Sequence, residues 1–175
     1  MFRIVLIGAE STGKSTLCQQ LADYFQAPFS PEYVRDFVDS QQRAVRRSDL
    51  ETIVDGQIMY EKTACQQATS LVFHDTNLLS NALYAEYYFK ECPEKLKRSL
   101  EENQYDLYLF CQDDIPWEAD RHQRESLAVR RSLQERFEQA LRSSQIPTIR
   151  IKGSPAHRLK TAIDSIETLI LGARN

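Results

Sequence analysis

The feature that most constrains this chain is the run GAESTGKST at residues 8–16. It fits the pattern G-x-x-x-x-G-K-[ST] at every fixed position, although the chain has only five glycines among 175 residues. A loop of this kind turns its backbone N–H groups inward around a phosphate, which requires glycine where φ is positive or where a Cβ would collide with the ligand. The pattern therefore predicts a strand before Gly8, a helix after Gly13 and a phosphate site between them.

Apolar runs and helical patterns alternate along the rest of the chain. Four strands are predicted, at residues 2–8, 71–75, 105–111 and 147–153. Five helices are predicted, at residues 15–25, 49–69, 77–89, 126–142 and 155–171. In residues 27–37, Pro28 and Pro31 favour a short edge segment followed by a helix from about Glu32. Because helices of this length can cross between parallel strands, the pattern predicts an α/β fold with a parallel sheet of about five strands.

Composition limits the possible classes of protein. Hydrophobic residues make up 42 % of the chain and charged residues 27 %, as in globular domains. No stretch rich in Pro, Gly or Ser marks a boundary, so we expect one domain over residues 1–175. The net charge of −3 argues against binding nucleic acid through the whole surface. Acids flank or interrupt the basic stretches 43–47 and 121–136, which are therefore interpreted as solvated helix faces.

The cysteines and the N-terminus bear on location. Four cysteines form no CxxC pair or metal-ligand cluster and are expected to be reduced and mostly buried: Cys18, Cys65, Cys92 and Cys111. The first residues lack the apolar segment and cleavage site of a signal peptide, and no run approaches the ~20 apolar residues that cross a bilayer. We therefore expect a cytoplasmic protein without membrane contact.

The loop residues have defined roles if the ligand is ATP. The predicted nucleotide-binding residues of this loop are Gly8, Glu10, Ser11, Thr12, Gly13, Lys14, Ser15 and Thr16. Lys14 is expected to reach the β- and γ-phosphates, and the Ser15 hydroxyl is expected to bind Mg²⁺. The predicted cofactors are therefore ATP and Mg²⁺.

Other motifs narrow the class of nucleotide-binding protein. The chain has neither the Asp-x-x-Gly nor the Asn-Lys-x-Asp element of a GTPase. Motor-like ATPases usually have a strand that ends in two adjacent acids, whereas the strand LVFHD ends in one. A small-molecule kinase fits better, because phosphoryl transfer requires positioning and charge neutralisation more than covalent chemistry. A regulatory ATP-binding module and an oligomeric ATPase remain alternatives.

Acidic residues after two predicted strands are candidates for the reaction centre. Asp75 lies where parallel sheets place their ligands, and it could bind Mg²⁺ or take a proton from an acceptor hydroxyl. The alternative, which we favour less, is that it caps the next helix. Glu32, Arg35 and Asp36 share a helical segment and could bind sugar hydroxyls and neutralise phosphate, or form an exposed ion-pair helix.

Two further segments could cover the nucleotide. Residues 113–126 contain the only tryptophan, Trp117, together with Arg121 and Arg124, as expected of a lid that places arginine against the transferred phosphate. Trp117 could contact the substrate or anchor the lid by packing. Ser154 and Pro155 read as the start of the last helix, and the same loop could line an adenine pocket.

The motifs GAESTGKST, EYVRDF, GQIMY, FHDTN, DDIPWEADRHQR and KGSP resemble, in this order, the ribosylnicotinamide kinase domain of the NadR type. The resemblance extends over residues 2–170. It implies a P-loop fold related to nucleoside and adenylate kinases, with a small lid. It also implies transfer of the γ-phosphate of ATP, with Mg²⁺, to the 5′-hydroxyl of nicotinamide riboside, which gives nicotinamide mononucleotide.

The resemblance also implies roles for individual residues. Asp75 and Glu32 would be the acids nearest the reacting hydroxyl and the ribose, Tyr60 would be a platform for the base, and Arg121 or Arg124 would belong to the lid. The full set of implied substrate-binding residues is Glu32, Tyr33, Arg35, Asp36, Gln57, Tyr60, Asn77 and Trp117. Pro31 and Asn77 depart from the family pattern, which leaves the identity of the acceptor open. The adenylyltransferase half of the family has no counterpart here, so we expect phosphorylation without conversion to NAD.

Overall fold

The computed structural model describes residues 1–102, 104–116 and 126–172. Within them, five strands alternate with seven α-helices and one 3₁₀ turn. The strands are β1 Phe2–Ile7, β2 Phe29–Ser30, β3 Leu71–Asp75, β4 Leu107–Cys111 and β5 Thr148–Ile151. The helices are α1 Lys14–Phe25, α2 Tyr33–Gln41, α3 Leu50–Gln67, α4 Leu78–Phe89, α5 Glu94–Glu102, α6 Leu127–Ser143 and α7 Pro155–Gly172, with the 3₁₀ turn at Arg47–Asp49.

All five strands run parallel in the order β2-β3-β1-β4-β5. The glycine loop follows the central strand β1, and β3 pairs directly with β1, so that Leu6 stands opposite Asp75. The carboxyl ends of parallel strands meet at one edge of a sheet, where such folds bind their ligands. Asp75 is therefore brought to the same edge as the glycine loop.

Helices cover both faces of the sheet. On one face, Ile4, Leu6 and Phe73 pack with residues of α1 and α7. On the other face, Val5 and Ile7 pack with residues of α4 and α6. Every residue of β3 and β4 is buried, which explains why residues 71–73 and 107–111 are apolar without alternation. The three layers hold the ends of β1 and β3 rigidly.

The predicted fold class and five-stranded sheet are confirmed. β3 has the predicted bounds, and α4, α6 and α7 begin within one residue of their predicted starts. Sequence analysis missed α5 and the 3₁₀ turn, because α5 is strongly charged and buries only Leu96 fully. In the described part of the chain, no helix combines the length and apolar character needed to span a membrane.

Gly56, in the middle of α3, is required by a close approach between helices. A Cβ at this position would overlap with the ring of Tyr33 on α2. We expect Gly56→Ala to destabilise the fold by about 1–3 kcal/mol, because such overpacking outweighs the gain in helix propensity of up to ~1 kcal/mol. Chemical unfolding measures the effect.

Gly172→Ala is the matched control, because no atom lies within 4 Å of its added Cβ. It should leave the free energy of unfolding nearly unchanged. Equal stability of Gly56→Ala and the wild type would contradict the assigned packing of α2 on α3.

Candidate phosphate loop and acceptor site

The glycine loop between β1 and α1 depends on backbone conformations that favour glycine. Gly8 has φ of 140° and Gly13 has φ of 77°, and Ser11 between them is also left-handed, with φ of 54°. A Cβ on Gly8 would lie 2.6 Å from the carbonyl oxygen of Cys111 at the end of β4. Both glycines of the motif are thus explained by this turn and by its close approach to β4.

Lys14 is the first residue of α1 and is almost completely buried. Its Nζ donates a hydrogen bond to the carbonyl oxygen of Ala9 at 2.7 Å. The Thr12 hydroxyl donates to the same oxygen at 2.8 Å. The ammonium group is therefore held against the loop itself, where positive charge and the amino end of α1 act together on an anion.

Three side chains from outside the loop hold its backbone. Arg130 on α6 donates to the carbonyl oxygen of Ser11 at 3.1 Å, and Arg158 on α7 donates to that of Thr12 at 3.0 Å. Gln134 accepts from the N–H group of Ala9 at 2.9 Å. These residues tie the loop to two helices that lie far away in the sequence.

Sequence analysis missed Arg130, Gln134 and Arg158. The interpretation of residues 121–136 as a solvated helix face is wrong at Arg130, which is only 3 % exposed. Its guanidinium also donates to the carbonyl oxygen of Ile115 at 3.2 Å. A buried arginine that binds backbone carbonyls leaves no short sequence pattern, so only its spacing of four from Gln134 on one face of α6 could have suggested a shared role.

Asp75, at the end of β3, is 3 % exposed and lies close to several charged residues. Burial is the main cause that raises its pKa, and the nearby Glu32 carboxyl raises it further. Lys14, a hydrogen bond with Ser15, and Arg35 oppose this shift. The structure thus brings together five of the residues singled out from the sequence. Within the described residues, the Asp75 Oδ1 atom has no hydrogen-bond partner.

Glu32 caps the start of α2 and faces the same space. Its Oε2 accepts a hydrogen bond from Arg35 Nε at 2.8 Å, one turn along the helix. This ion pair fixes the carboxyl group at the rim of a cavity that Glu32 and Arg35 both line. Glu32 and Arg35 thus form an ion pair beside the cavity wall, whereas Asp36 does not line the cavity.

The cavity next to these residues has a volume of about 360 Å³. Its walls come from α2, α3, α4, the segment before the 3₁₀ turn, and α5, and they are mostly apolar. They consist of Glu32, Val34, Arg35, Val38, Ala44, Val45, Leu50, Ile53, Val54, Asn81, Tyr84, Ala85, Tyr88, Phe89 and Leu96. A cavity of this size, with mostly apolar walls and a few polar groups, suits a small organic ligand.

Tyr84 on α4 connects this cavity to the glycine loop. Its hydroxyl donates a hydrogen bond to Glu10 Oε2 at 2.9 Å. Burial, Glu10 and Glu32 raise the pKa of Tyr84 well above its usual value, in that order of importance. Tyr84 also stacks on Tyr88, with ring centroids 6.3 Å apart. This aromatic face of α4 was not singled out from the sequence, where AEYYF read only as an apolar helix.

Three residues predicted to bind substrate lie on the other side of α2. Tyr60 donates to Asp36 Oδ2 at 2.6 Å, and this hydrogen bond is the main cause that raises the pKa of Tyr60 to about 12. Tyr33 packs edge-on against Tyr60, with ring centroids 5.0 Å apart. None of the three lines the 360 Å³ cavity. Tyr60 and Pro31 instead line a separate, more open cavity beside β2.

Two other predicted substrate residues use their polar atoms in the fold. Gln57 Oε1 accepts from the N–H group of Tyr33 at 3.1 Å, which caps α2. Asn77 caps α4 by accepting from Ser80 N at 3.4 Å, and its Nδ2 donates to the Tyr108 hydroxyl at 3.3 Å. Both amides are buried, and neither lines the cavity.

Ser154 and Pro155 begin α7 as predicted. The Ser154 hydroxyl accepts from His157 N at 3.3 Å, and Pro155 is the first helical residue. Arg158 joins this turn to the glycine loop, because it donates both to Gly153 O at 2.9 Å and to Thr12 O. The turn therefore lies beside the loop. The predicted lid residues Trp117, Arg121 and Arg124 lie outside the described residues.

Oxygen ligands suitable for a divalent cation are present beside the loop. Ser15 is exposed, and its hydroxyl interacts with the Asp75 carboxyl group. No group of three or more His, Cys, Asp or Glu side chains within the described ranges could bind a metal. The Ser15 hydroxyl and the Asp75 carboxylate, one of whose oxygens is otherwise unpartnered among these residues, fit Mg²⁺, which is usually held by few protein ligands together with phosphate and water.

Comparison with known proteins supports this description. The family model described as an AAA domain matches residues 3–158. The trifunctional NAD biosynthesis/regulator protein NadR of Salmonella typhimurium is 27 % identical over 154 residues, which cover 85 % of this chain and 38 % of that protein. NadR of Escherichia coli is 30 % identical over 121 residues, which cover 67 % and 30 % of the two chains. The chain thus spans well under half the length of these relatives.

Solved structures share the fold. A NadR protein in complex with NR superposes with a TM-score of 0.80 and 22 % identity, covering 96 % of this chain and 51 % of that one. A NadR protein in complex with NAD and AMP-PNP gives a TM-score of 0.79, again at 22 % identity, with 96 % and 49 % covered. Deoxyadenosine kinase from M. mycoides gives 0.67 at 10 % identity, with 95 % and 100 % covered. The resemblance to NadR and the kinase-like P-loop fold, both predicted from the motifs, are confirmed.

Proposed function

This chain belongs to the AAA domain family, and we propose that within it the chain acts as an ATP-dependent kinase for a small nucleoside, with nicotinamide riboside as the acceptor. The observation that carries the proposal is the position of the acids. Asp75 lies near Lys14 and Ser15 of the phosphate loop and near Glu32, which lines a cavity large enough for a nucleoside. A phosphoryl donor and a small acceptor can therefore meet at these two carboxyl groups.

The donor side of the proposal rests on the loop. The phosphates of ATP would be bound by the backbone N–H groups of the loop, the amino end of α1 and Lys14. This binding needs little movement of the protein, because the loop is already folded around Lys14. Ser15 would bind Mg²⁺ directly and Asp75 would hold it through a water molecule, and the ion when bound would neutralise charge on the β- and γ-phosphates. The turn at Ser154 and Pro155 lies beside the loop, where the adenine would be covered.

The acceptor side requires a group that takes a proton. In the proposed reaction the 5′-hydroxyl oxygen forms a bond to the γ-phosphorus, the bond from that phosphorus to the β,γ-bridging oxygen breaks, and the hydroxyl proton leaves. Glu32 is neutralised by Arg35, whereas Asp75 has an unpartnered oxygen and a raised pKa. We assign Asp75 as the base, because a carboxylate with a raised pKa is the better proton acceptor.

Two arguments favour nicotinamide riboside among nucleosides. The nicotinamide ring of this nucleoside carries a positive charge, and the faces of Tyr84 and Tyr88 with the nearby carboxyl groups of Glu10 and Glu32 suit a cationic ring. The relatives named NadR act in NAD biosynthesis, and one solved NadR structure is in complex with NR.

Four free cysteines agree with a cytoplasmic location, where thiols stay reduced.

The test is acceptor-dependent release of ADP by the purified chain. ATP and Mg²⁺ are supplied with nicotinamide riboside, adenosine, cytidine, uridine or thymidine, and the phosphorylated product is identified by mass. We expect nicotinamide riboside to give the largest kcat/KM. Release of ADP that does not depend on any acceptor would indicate an ATPase, and tight ATP binding without turnover would indicate a regulatory module.

A further inference from the structure

Two buried polar atoms near Tyr84 have no hydrogen-bond partner among the described residues. They are Oε1 of Glu10 and Nδ2 of Asn81. Glu10 as a whole is only 3 % exposed, and buried polar groups of folded proteins are almost always hydrogen-bonded. An unpaired carboxyl oxygen and an unpaired amide N–H group therefore point to a ligand that satisfies both.

Tyr84 brings the two atoms to the same region. Its hydroxyl holds the other carboxyl oxygen of Glu10 at 2.9 Å. Asn81 precedes Tyr84 by three residues on α4, so the two side chains share one face of the helix, and both line the cavity. The Glu10 carboxyl group is thus held by a residue of the cavity wall, although the Glu10 backbone belongs to the phosphate loop.

The chemistry of the pair selects its ligand. The Glu10 oxygen accepts a hydrogen bond and the Asn81 amide donates one, whereas a hydroxyl group can do both. A phosphate offers acceptors and would be repelled by a carboxylate. A pair of neighbouring hydroxyl groups, as on a ribose, satisfies both side chains at once.

We propose that Glu10 and Asn81 bind the ribose hydroxyls of the acceptor nucleoside, and that they make the site selective for ribonucleosides over deoxyribonucleosides. This inference rests on the proposed nucleoside kinase activity. Glu10 then serves both substrates: its backbone belongs to the loop that encloses the phosphates, and its side chain positions the sugar. Because a missing hydroxyl would leave a buried carboxyl oxygen unpaired, deoxy analogues are rejected.

The experiment combines enzyme variants with substrate analogues. The wild type, Glu10→Gln and Asn81→Ala are assayed with the best ribonucleoside and with its 2′-deoxy and 3′-deoxy forms. Glu51→Gln, an exposed carboxyl-to-amide change on α3, is the matched control. We expect the wild type to lose about 10- to 100-fold in kcat/KM on one deoxy form, as for a hydrogen bond to a charged group. Glu10→Gln should lose a similar factor on the ribonucleoside, with little further loss on that deoxy form.

The outcomes separate this inference from the activity on which it rests. A wild type inactive with every nucleoside removes the proposed function itself. An active wild type that uses deoxy and ribo forms equally overturns the selectivity. If Glu10 has a purely structural role, Glu10→Gln should lose the same factor in kcat/KM on ribo and deoxy substrates and should have a higher KM for ATP. If Glu10→Gln does not fold, the comparison of ribo and deoxy substrates is made with Asn81→Ala alone, because this substitution leaves the loop sequence unchanged.

Discussion

Asp75→Asn is expected to lower kcat of nucleoside phosphorylation by about 10²- to 10⁴-fold, the range typical of a lost general base. Asparagine keeps the size of the side chain but cannot take the proton of the acceptor hydroxyl. Steady-state rates with nicotinamide riboside and ATP measure the loss. In the wild type, kcat/KM for the nucleoside should fall on the acid side at a higher pH than an ordinary aspartate would give, because burial and Glu32 raise the pKa of Asp75 in the free protein.

The same substitution should not weaken the fold. The raised pKa of Asp75 means that the folded state favours the neutral carboxyl group. The stability that this group contributes is therefore present below its pKa in the unfolded chain and is lost as pH rises through its pKa in the folded protein. Asparagine is neutral throughout, and at neutral pH Asp75→Asn should therefore melt at the same temperature as the wild type or higher. Asp164→Asn, in an exposed ion pair on α7, is the control for both measurements. A variant that retained most of the wild-type kcat would remove Asp75 as the base.

Lys14→Ala is expected to lower kcat/KM by about 10²- to 10³-fold, as when one preorganised group that stabilises transition-state charge is removed. The loop should keep its shape, because the Ala9 carbonyl oxygen still accepts from the Thr12 hydroxyl. Arg130 and Arg158 likewise still bind the carbonyls of Ser11 and Thr12. The loss should thus appear in turnover while circular dichroism and the melting temperature change little.

Lys62→Ala is the matched control, since Lys62 is an exposed lysine on α3. Its kinetics should equal those of the wild type. Full activity in Lys14→Ala would contradict an electrostatic role for this lysine. Unfolding of Lys14→Ala would show instead that its bond to Ala9 is needed for the fold.

The sheet could be predicted because its strands are buried on both faces. LVFHD begins with three apolar residues and YDLYLFC is mostly apolar or aromatic. The segments between the strands are long enough for crossover helices, so local pattern and final structure agree. The segment with Pro28 and Pro31 gave only a two-residue edge strand, as its prolines suggested. By contrast, α5 could not be predicted from a sequence that is charged on most of its surface.

The two halves of the candidate site differ in how well they could be predicted from the sequence. The loop is one contiguous motif whose glycines have a geometric reason, so it could be read directly. The cavity lies between five segments of the chain. Helix packing decides which face of each helix lines it. EYVRDF illustrates this: Glu32 and Arg35 line the cavity, whereas Asp36 on the same helix binds Tyr60 on the other side. Gln57 and Asn77 were plausible ligands by type, yet their amides cap helices.

The guanidinium groups that hold the carbonyls of Ser11 and Thr12 have a thermodynamic consequence. A peptide whose oxygen is fixed on one side has its N–H group fixed on the other, so the anion meets donors that are already oriented. Little conformational entropy then remains to be lost when a triphosphate enters. Residues of α6 and α7 thereby contribute to affinity for an anion that they need not touch.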